Sequence, residues 1–275
     1  MADALTELSK FISRGLSVPE GSARPLLEAL FGGRYYQRLS SHAAIRDPLS
    51  SNVEVPFAGF IHPDNPPSGA YGGASLIWFP TDGGGSILTF VVGTAGLSPD
   101  EGLLSRPGHR RRVRALRHYL AKEGVWAWAK PDPTALGISV PDFVSRRLPD
   151  FGKALKRYGG EIYAIAEVPV DDPRKARLVT QAFFDLYAFE RGWIALKEWE
   201  PQYLTLIDAL RSDLFARAEE SEVDRLLRER RFVILQGPPG TGKTRMAERI
   251  KRDYFGVRSG WLVEAAISAQ EKPFL

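Results

Sequence analysis

A glycine-rich segment that ends in Lys243 and Thr244 has the residue types and spacing that point most directly to chemistry. Residues 237–244 have the sequence Gly-Pro-Pro-Gly-Thr-Gly-Lys-Thr, which fits the phosphate-binding pattern G-x-x-x-x-G-K-[ST]. Glycines let the backbone turn tightly, so that several N–H groups face one anion at the N-terminus of the following helix. In this pattern the lysine reaches the β- and γ-phosphates, and the Thr244 hydroxyl is a ligand for Mg²⁺. The segment therefore predicts a site for Mg²⁺ with ATP or GTP, made of Gly237, Pro238, Pro239, Gly240, Thr241, Gly242, Lys243 and Thr244.

The flanking residues predict the strand and the helix that such a loop requires. Residues 232–235 are four consecutive apolar residues, which is typical of a strand buried on both faces of a sheet. After the loop, apolar residues recur at roughly helical spacing, at Met246, Ala247, Ile250, Tyr254 and Phe255. Strand, loop and helix thus follow one another in the expected order.

Hydrolysis of the nucleotide requires further groups, namely an acidic residue on a later strand and a charge-neutralising arginine. After Thr244 the sequence offers only the short apolar run that begins at Trp261, with Glu264 as the acid nearby. We therefore expect residues 231–275 to be the truncated start of an α/β P-loop NTPase domain. We assign no catalytic residue, and we expect this chain to bind nucleotide weakly or not at all and not to turn it over.

Composition sets broad limits on the class of protein. The chain has no cysteine, and its four histidines show no metal-ligand spacing, so the only metal predicted is the Mg²⁺ that accompanies the nucleotide. No apolar run approaches the roughly 18 residues that span a bilayer, and the N-terminus lacks a basic leader. We therefore expect a cytoplasmic protein without a membrane partner.

Positive charge is concentrated in the middle of the chain. Residues 106–160 contain 13 Lys/Arg against 4 Asp/Glu, whereas residues 1–105 contain 6 against 10. The densest part is residues 106–117, and its arginines predict contacts with the phosphates of DNA because guanidinium pairs well with phosphate. On a helix, the positions 110, 114 and 117 share one face. The predicted DNA contacts are Arg106, Arg110, Arg111, Arg112, Arg114 and Arg117.

Three tryptophans are expected to be exposed and to stack on an extruded base: Trp78, Trp126 and Trp128. Both features also have a plainer interpretation. A run of arginines is often only a solvated helix face, and alternating tryptophans in a strand often divide between core and surface.

Periodicity predicts helices and strands that mingle along the first 190 residues, which indicates an α+β or α/β domain. The predicted strands are 53–61 at a sheet edge, 74–79 and 87–92 as a hairpin, 125–129 and 162–168. The predicted helices are 2–16, 25–31, 35–45, the second half of 106–120, 143–158 with a break at Pro149, 173–190, 201–218 and 222–230. We predict an N-terminal DNA-recognition domain at 1–196, a helical linker at 197–230 and the incomplete NTPase domain at 231–275.

Residues 220–260, which contain the loop and the preceding helix from Val223, resemble AAA+ ATPases and more narrowly the McrB-type motor subunits of modification-dependent restriction systems. That resemblance implies a ring-forming hydrolase of ATP or GTP with a nuclease partner. It also implies an N-terminal domain that binds DNA, often with a modified base.

Two alternatives stay open at this stage. One is an AAA+ chaperone-type remodelling ATPase whose N-terminal domain binds protein. The other is a helicase, which ranks last because Gln236 lies within the loop's own strand and does not supply a helicase's adenine-binding glutamine motif.

Overall fold

A computed structural model of the chain describes residues 4–15, 23–49, 54–81, 84–214, 220–229, 232–235 and 243–256. The chain divides into two units, Met1–Leu214 and Phe215–Leu275. The predicted phosphate-binding residues before Lys243 lie outside the described residues.

Helices of the first unit come before, between and after its strands. They are α1 (Ala4–Ser13), α2 (Ala23–Arg34), α3 (Leu39–His42), α4 (Glu101–Leu104), α5 (Pro107–Lys122), α6 (Asp142–Arg147), α7 (Gly152–Tyr158), α8 (Pro173–Glu190) and α9 (Glu200–Leu214), with a 3₁₀ turn at Pro149–Phe151.

The strands of the first unit form one sheet in which every neighbouring pair is antiparallel. They are β1 (Ala44–Arg46), β2 (Ala58–Ile61), β3 (Ala74–Pro80), β4 (Ser86–Val92), β5 (Ala127–Ala129) and β6 (Ile162–Val168), in the order β1-β2-β3-β4-β6-β5. Mixed helix and sheet is confirmed, and the antiparallel pairing makes this unit α+β.

Helices cover both faces of the sheet, which explains why β3 and β4 are apolar at almost every position. On β3, Leu76 and Trp78 point into the core shared with α1, α2 and α8. Their neighbours Ile77 and Phe79 point to the other face, where Val144 of α6 and Leu155 of α7 lie. Successive strand residues face opposite sides, so a run without polar positions requires two apolar layers.

Several predicted elements are confirmed. Strands β3 and β4 pair antiparallel as the predicted hairpin, and Pro149 separates α6 from α7. Helix α8 begins at Pro173, and the side chain of Asp172 accepts a hydrogen bond from the N–H of Lys175 at 3.0 Å. This is the capping interaction expected of Asp just before a helix.

Helix α2 differs from its predicted end at Gly32 and Gly33, because it continues through both glycines to Arg34. The Arg34 guanidinium donates to both carboxylate oxygens of the buried Asp185, at 2.7 and 2.6 Å. This tertiary ion pair fixes the last turn and outweighs the low helix propensity of glycine, which costs only about 1 kcal/mol per residue.

Residues 35–61 also differ from the predicted helix and edge strand. Of the helix predicted at 35–45 only the short α3 forms, and the chain then enters strand β1 at Ala44–Arg46. The predicted edge strand begins only at Ala58, after Pro56, and β2 lies between β1 and β3. Pro56 therefore precedes the paired residues and does not interrupt the hydrogen-bonded ladder.

The first unit extends past 196, the predicted domain boundary, and includes α9. Tyr203, Leu206, Ile207 and Leu210 of α9 are buried in the core cluster. Helix α9 packs against α5 and α8, so it is part of this core.

The described residues of the second unit form two helices that contact each other, α10 (Glu220–Glu229) and α11 (Lys243–Gly256). The strand predicted at 232–235 is not formed. These residues are irregular, and the side chains of Phe232 and Ile234 are exposed. A strand needs hydrogen-bonding neighbours, and none lies among the described residues of this unit.

Candidate functional site

The part of the predicted nucleotide site that the structure describes is its helix. Helix α11 begins at Lys243, where the helix after the loop was predicted. Lys243 is partly buried and Thr244 is exposed, both in the first turn. A lysine and a hydroxyl in that turn are the two side chains that the phosphate-binding pattern places next to a nucleotide and its Mg²⁺.

The arginine-rich segment forms helix α5, which begins at Pro107. Proline suits the first helical position, because the N–H that it lacks would have no partner within the helix. Val113, Leu116 and Leu120 are buried on the inner side of α5, at the spacing of one helix face. They hold the helix against the core, where it packs on α9 and β5.

Four arginines lie on the outer side of α5 or at its start. Arg106 precedes the helix, and Arg111, Arg114 and Arg117 follow at three-residue intervals, about 60° apart around the helix axis. All four are exposed, and no acidic side chain in the described part of the chain pairs with them. We call Arg106, Arg111, Arg114 and Arg117 the basic face.

The other two predicted DNA contacts, Arg110 and Arg112, hold α5 in place. Arg110 forms an ion pair with Asp132 at 2.8 Å, and both groups are partly exposed. The pKa of Asp132 lies below its ordinary value. The main cause is the hydrogen bond that the Thr134 hydroxyl donates to Asp132 at 2.7 Å, and the charge of Arg110 lowers the pKa further. The negative charge of Asp132 therefore persists and neutralises Arg110.

Arg112 pairs with the buried Glu190 at the end of α8. Its Nε and Nη2 atoms donate to the two carboxylate oxygens, the latter at 3.0 Å, and its guanidinium lies 5.1 Å from the centre of the Phe189 ring. His109 is also buried here, with Nδ1 3.4 Å from Glu190. Although burial raises the pKa of Glu190, its contacts with His109 and Arg112 outweigh this and hold the pKa below its ordinary value.

The tryptophans do not form the exposed aromatic surface that we predicted. Trp78 and Trp128 are buried, on opposite faces of the sheet, so the expectation of exposure is wrong for both. Trp78 donates its indole N–H to Ser86 and packs on Phe11. Only Trp126 is partly exposed, with the Arg147 guanidinium 5.9 Å from its ring centre.

A cavity of about 830 Å³ lies beside β1, a volume that suits a small molecule. Two arginines in its wall bond to backbone carbonyls, Arg24 to Ile45 at 3.0 Å and Arg46 to Pro66 and Pro67. Strands β1 and β5 are the opposite edges of the sheet, about 24 Å apart at the usual strand spacing. The cavity is thus separate from the basic face, which lies at the β5 edge.

The sequence did not indicate that Asp132 and Glu190 pair with the arginines of α5. Residue 132 had only a local signal for a turn, because Asp-Pro-Thr suits one in which Asp132 accepts from the N–H and hydroxyl of Thr134. Glu190 had none, since it lies 78 residues from its partner Arg112.

Two surveys of the described residues complete the description of possible sites. No three or more His, Asp or Glu side chains among them are grouped closely enough to hold a metal ion. None of the helices in the described ranges has the length and apolar character needed to cross a bilayer.

Comparison with known proteins gives no relative for this chain. No protein-family model, curated protein or solved structure matches it.

Proposed function

We propose that the first unit, Met1–Leu214, binds DNA through the basic face, and that residues 231–275 belong to a P-loop NTPase of the AAA+, McrB type. The single observation that supports DNA binding most strongly is that the six arginines differ in whether an acidic side chain pairs with them. Arg110 and Arg112 are neutralised by Asp132 and Glu190, whereas the four of the basic face have no acidic partner among the described residues.

Phosphate is the ligand that this arrangement suits. Guanidinium groups pair bidentately with phosphate oxygens, and a row of them along a rigid helix matches a polyanion better than a single small anion. Such contacts position a protein on DNA without reading its sequence. The arginines of the basic face thus supply affinity for the DNA phosphates, and any preference for sequence or base modification comes from other residues.

The test of this proposal is DNA affinity in a variant that lacks most of the basic face. Replacing Arg111, Arg114 and Arg117 together by Ala removes three contacts of about 1 kcal/mol each, so we expect affinity to fall roughly a hundredfold. Fluorescence anisotropy of a labelled 20-base-pair DNA with the full chain at low salt measures this.

A charge-matched control separates contact from net charge. Arg38, just before α3, and Lys153 and Lys156, on α7, are exposed, so their triple replacement by Ala lowers the net charge equally. We expect affinity to change less than about threefold. Equal losses of DNA affinity in the two triple variants, or no loss in the first, would mean that the arginines of α5 form only a solvated helix face. Either result would favour a protein-binding unit.

Nucleotide binding by the second unit rests on the loop pattern and on the position of Lys243 and Thr244 in the first turn of α11. We expect the full chain to bind Mg²⁺ with a fluorescent ATP or GTP analogue weakly at most, and Lys243→Ala to abolish any such binding, because it removes the charge that the pattern places at the phosphates. Arg245→Ala, an exposed change two residues away, is the control and should bind as wild type does. Measurable wild-type binding that Lys243→Ala leaves unchanged would contradict the assignment.

A further inference from the structure

The cavity beside β1 takes no part in the DNA and nucleotide sites proposed above. Its volume of about 830 Å³ lies in the range of pockets that hold small ligands. Three parts of the chain line it, namely α2, residues 37–46 and the loop after β2 at 61–67. We call it the β1 cavity.

Hydrogen bonds hold the walls of the β1 cavity in place. Arg24 of α2 donates to the carbonyl of Ile45 at 3.0 Å, and Arg46 donates to two successive carbonyls of the loop after β2. In the same loop the side chain of Asn65 accepts from the N–H of Gly72 at 2.8 Å and donates to its carbonyl at 3.0 Å. A ligand that enters a preformed cavity of this kind loses little free energy to ordering the protein.

The wall of the β1 cavity carries positive charge that no acid offsets. Arg38 and Arg46 both line it, and neither pairs with a carboxylate in the described part of the chain. Arg24 differs, because its Nη1 lies 3.8 Å from Glu28 and its backbone N–H donates to Asp47 at 2.9 Å. Two guanidinium groups without counter-charges favour an anionic ligand, since guanidinium pairs well with carboxylate and phosphate oxygens.

The rest of the lining combines a further hydrogen-bond donor with apolar side chains. The side-chain oxygen of Gln37 accepts from the N–H of Ile194 at 2.9 Å, so the part of Gln37 left for a ligand is its amino end, which only donates. The apolar side chains that are at least partly accessible in the wall are Leu39, Pro63, Pro66 and Pro67. Cations and a donor beside apolar surface suit a molecule that has both an anionic group and an apolar body.

We propose that the β1 cavity binds a small organic anion, in which a carboxylate or phosphate group is attached to an apolar body. Arg38 pairs with the oxyanion, Gln37 donates to it, and the apolar body lies against Leu39 and the prolines of the loop. An inorganic anion alone would leave most of the 830 Å³ unfilled. Strand β1 is the sheet edge opposite β5, on which α5 packs, so this site is independent of the proposed DNA binding.

The test uses three probes that share one apolar ring system: naphthoate, naphthyl phosphate and the neutral naphthamide. Isothermal titration calorimetry of each probe with the full chain measures its affinity. We expect both anions to bind wild type at least about tenfold more tightly than the amide, because only the anions form a charged pair with guanidinium. The tighter of the two anions identifies the oxyanion that the site prefers.

Replacement of Arg38 tests where the anions bind. We expect Arg38→Ala to weaken binding of both anions about tenfold and binding of the amide less than about twofold, because it removes a charge and leaves the apolar wall. Arg146→Ala is the matched control and should bind all three probes as wild type does. Arg146 is also exposed and has no acidic partner in the described ranges, and its neighbour Arg147 pairs with Glu167 of β6, four strands from β1.

Three results would overturn this inference: no binding of any probe, equal affinity of wild type for the anions and the amide, or equal weakening by the two arginine variants. None of them bears on the proposed function, which is measured by the DNA affinity of the α5 variants. Conversely, a failure of DNA binding would leave the expected binding of the naphthyl anions unchanged.

Discussion

Among the described residues of the first unit, the partners of an arginine determine its role. Arg34 is buried and bonded to Asp185, which also accepts from Tyr35 at 3.0 Å. Burial, and then the charge of Asp185, raise the pKa of Tyr35 well above its ordinary value, so its hydroxyl stays a neutral donor. Arg191 is fixed in a similar way by Asp100 and by the carbonyl of Ala74. These arginines hold the core together, whereas those of the basic face are available to a ligand.

The buried pair of Arg34 and Asp185 predicts a large loss of stability when one partner is removed. Asp185→Ala leaves a buried guanidinium without its counter-charge, so we expect the free energy of unfolding to fall by about 3–5 kcal/mol. Urea unfolding of the full chain, followed by tryptophan fluorescence, measures the change.

An exposed ion pair provides the control for that experiment. Glu7→Ala breaks the pair with Lys10, and such exposed pairs contribute less than about 1 kcal/mol. Should Asp185→Ala unfold within about 1 kcal/mol of wild type, the buried pair would not be what holds α2 to α8.

Among the elements, those with a strong apolar pattern were predictable from sequence and those fixed by distant contacts were not. Strands β3, β4 and β6 have apolar runs bounded by turns, and α8 has both a cap and a long periodic face. The extension of α2 to Arg34 depends on Asp185, which lies 151 residues away, so no local pattern indicated it.

The candidate site shows the same division between local and distant information. The arginines of α5 and the phosphate-binding pattern were visible in the sequence, because both depend on residue type and short spacing. Which arginines are neutralised depends on Asp132 and Glu190, and the exposure of the tryptophans depends on which sheet faces are covered. Both are properties of the three-dimensional packing.

Helix α9 should be essential for the first unit, because it belongs to the core. It buries four large apolar side chains, each contributing about 1.5–3 kcal/mol, whereas an ordinary domain has only about 5–15 kcal/mol of net stability. We expect a chain ending at 214 to unfold cooperatively, and a chain ending at 196 to be unfolded or to lose most of its denaturant resistance.

Chemical denaturation of the two shortened chains, followed by circular dichroism, tests the role of α9. Similar unfolding midpoints would show that the core closes without this helix and that the boundary lies near 196, as the sequence suggested.

For the whole molecule, the net charge of +4 says less than the distribution of that charge. The surplus lies in residues 106–160, and the structure divides the arginines of 106–117 further, into two that are paired and four that form the basic face. Our account is that a DNA-binding α+β unit precedes a P-loop NTPase segment in one chain. Its central claim is that the basic face contacts phosphates.

The salt dependence of DNA affinity tests that claim most directly. For four phosphate contacts, log K should fall with log salt at a slope of about −3.6 on duplex and about −2.8 on single-stranded DNA. With Arg111, Arg114 and Arg117 replaced by Ala, the slope should be close to −1, while the variant at Arg38, Lys153 and Lys156 keeps the wild-type slope. A slope near zero in wild type, or an unchanged slope after the three α5 arginines are replaced, would contradict the account.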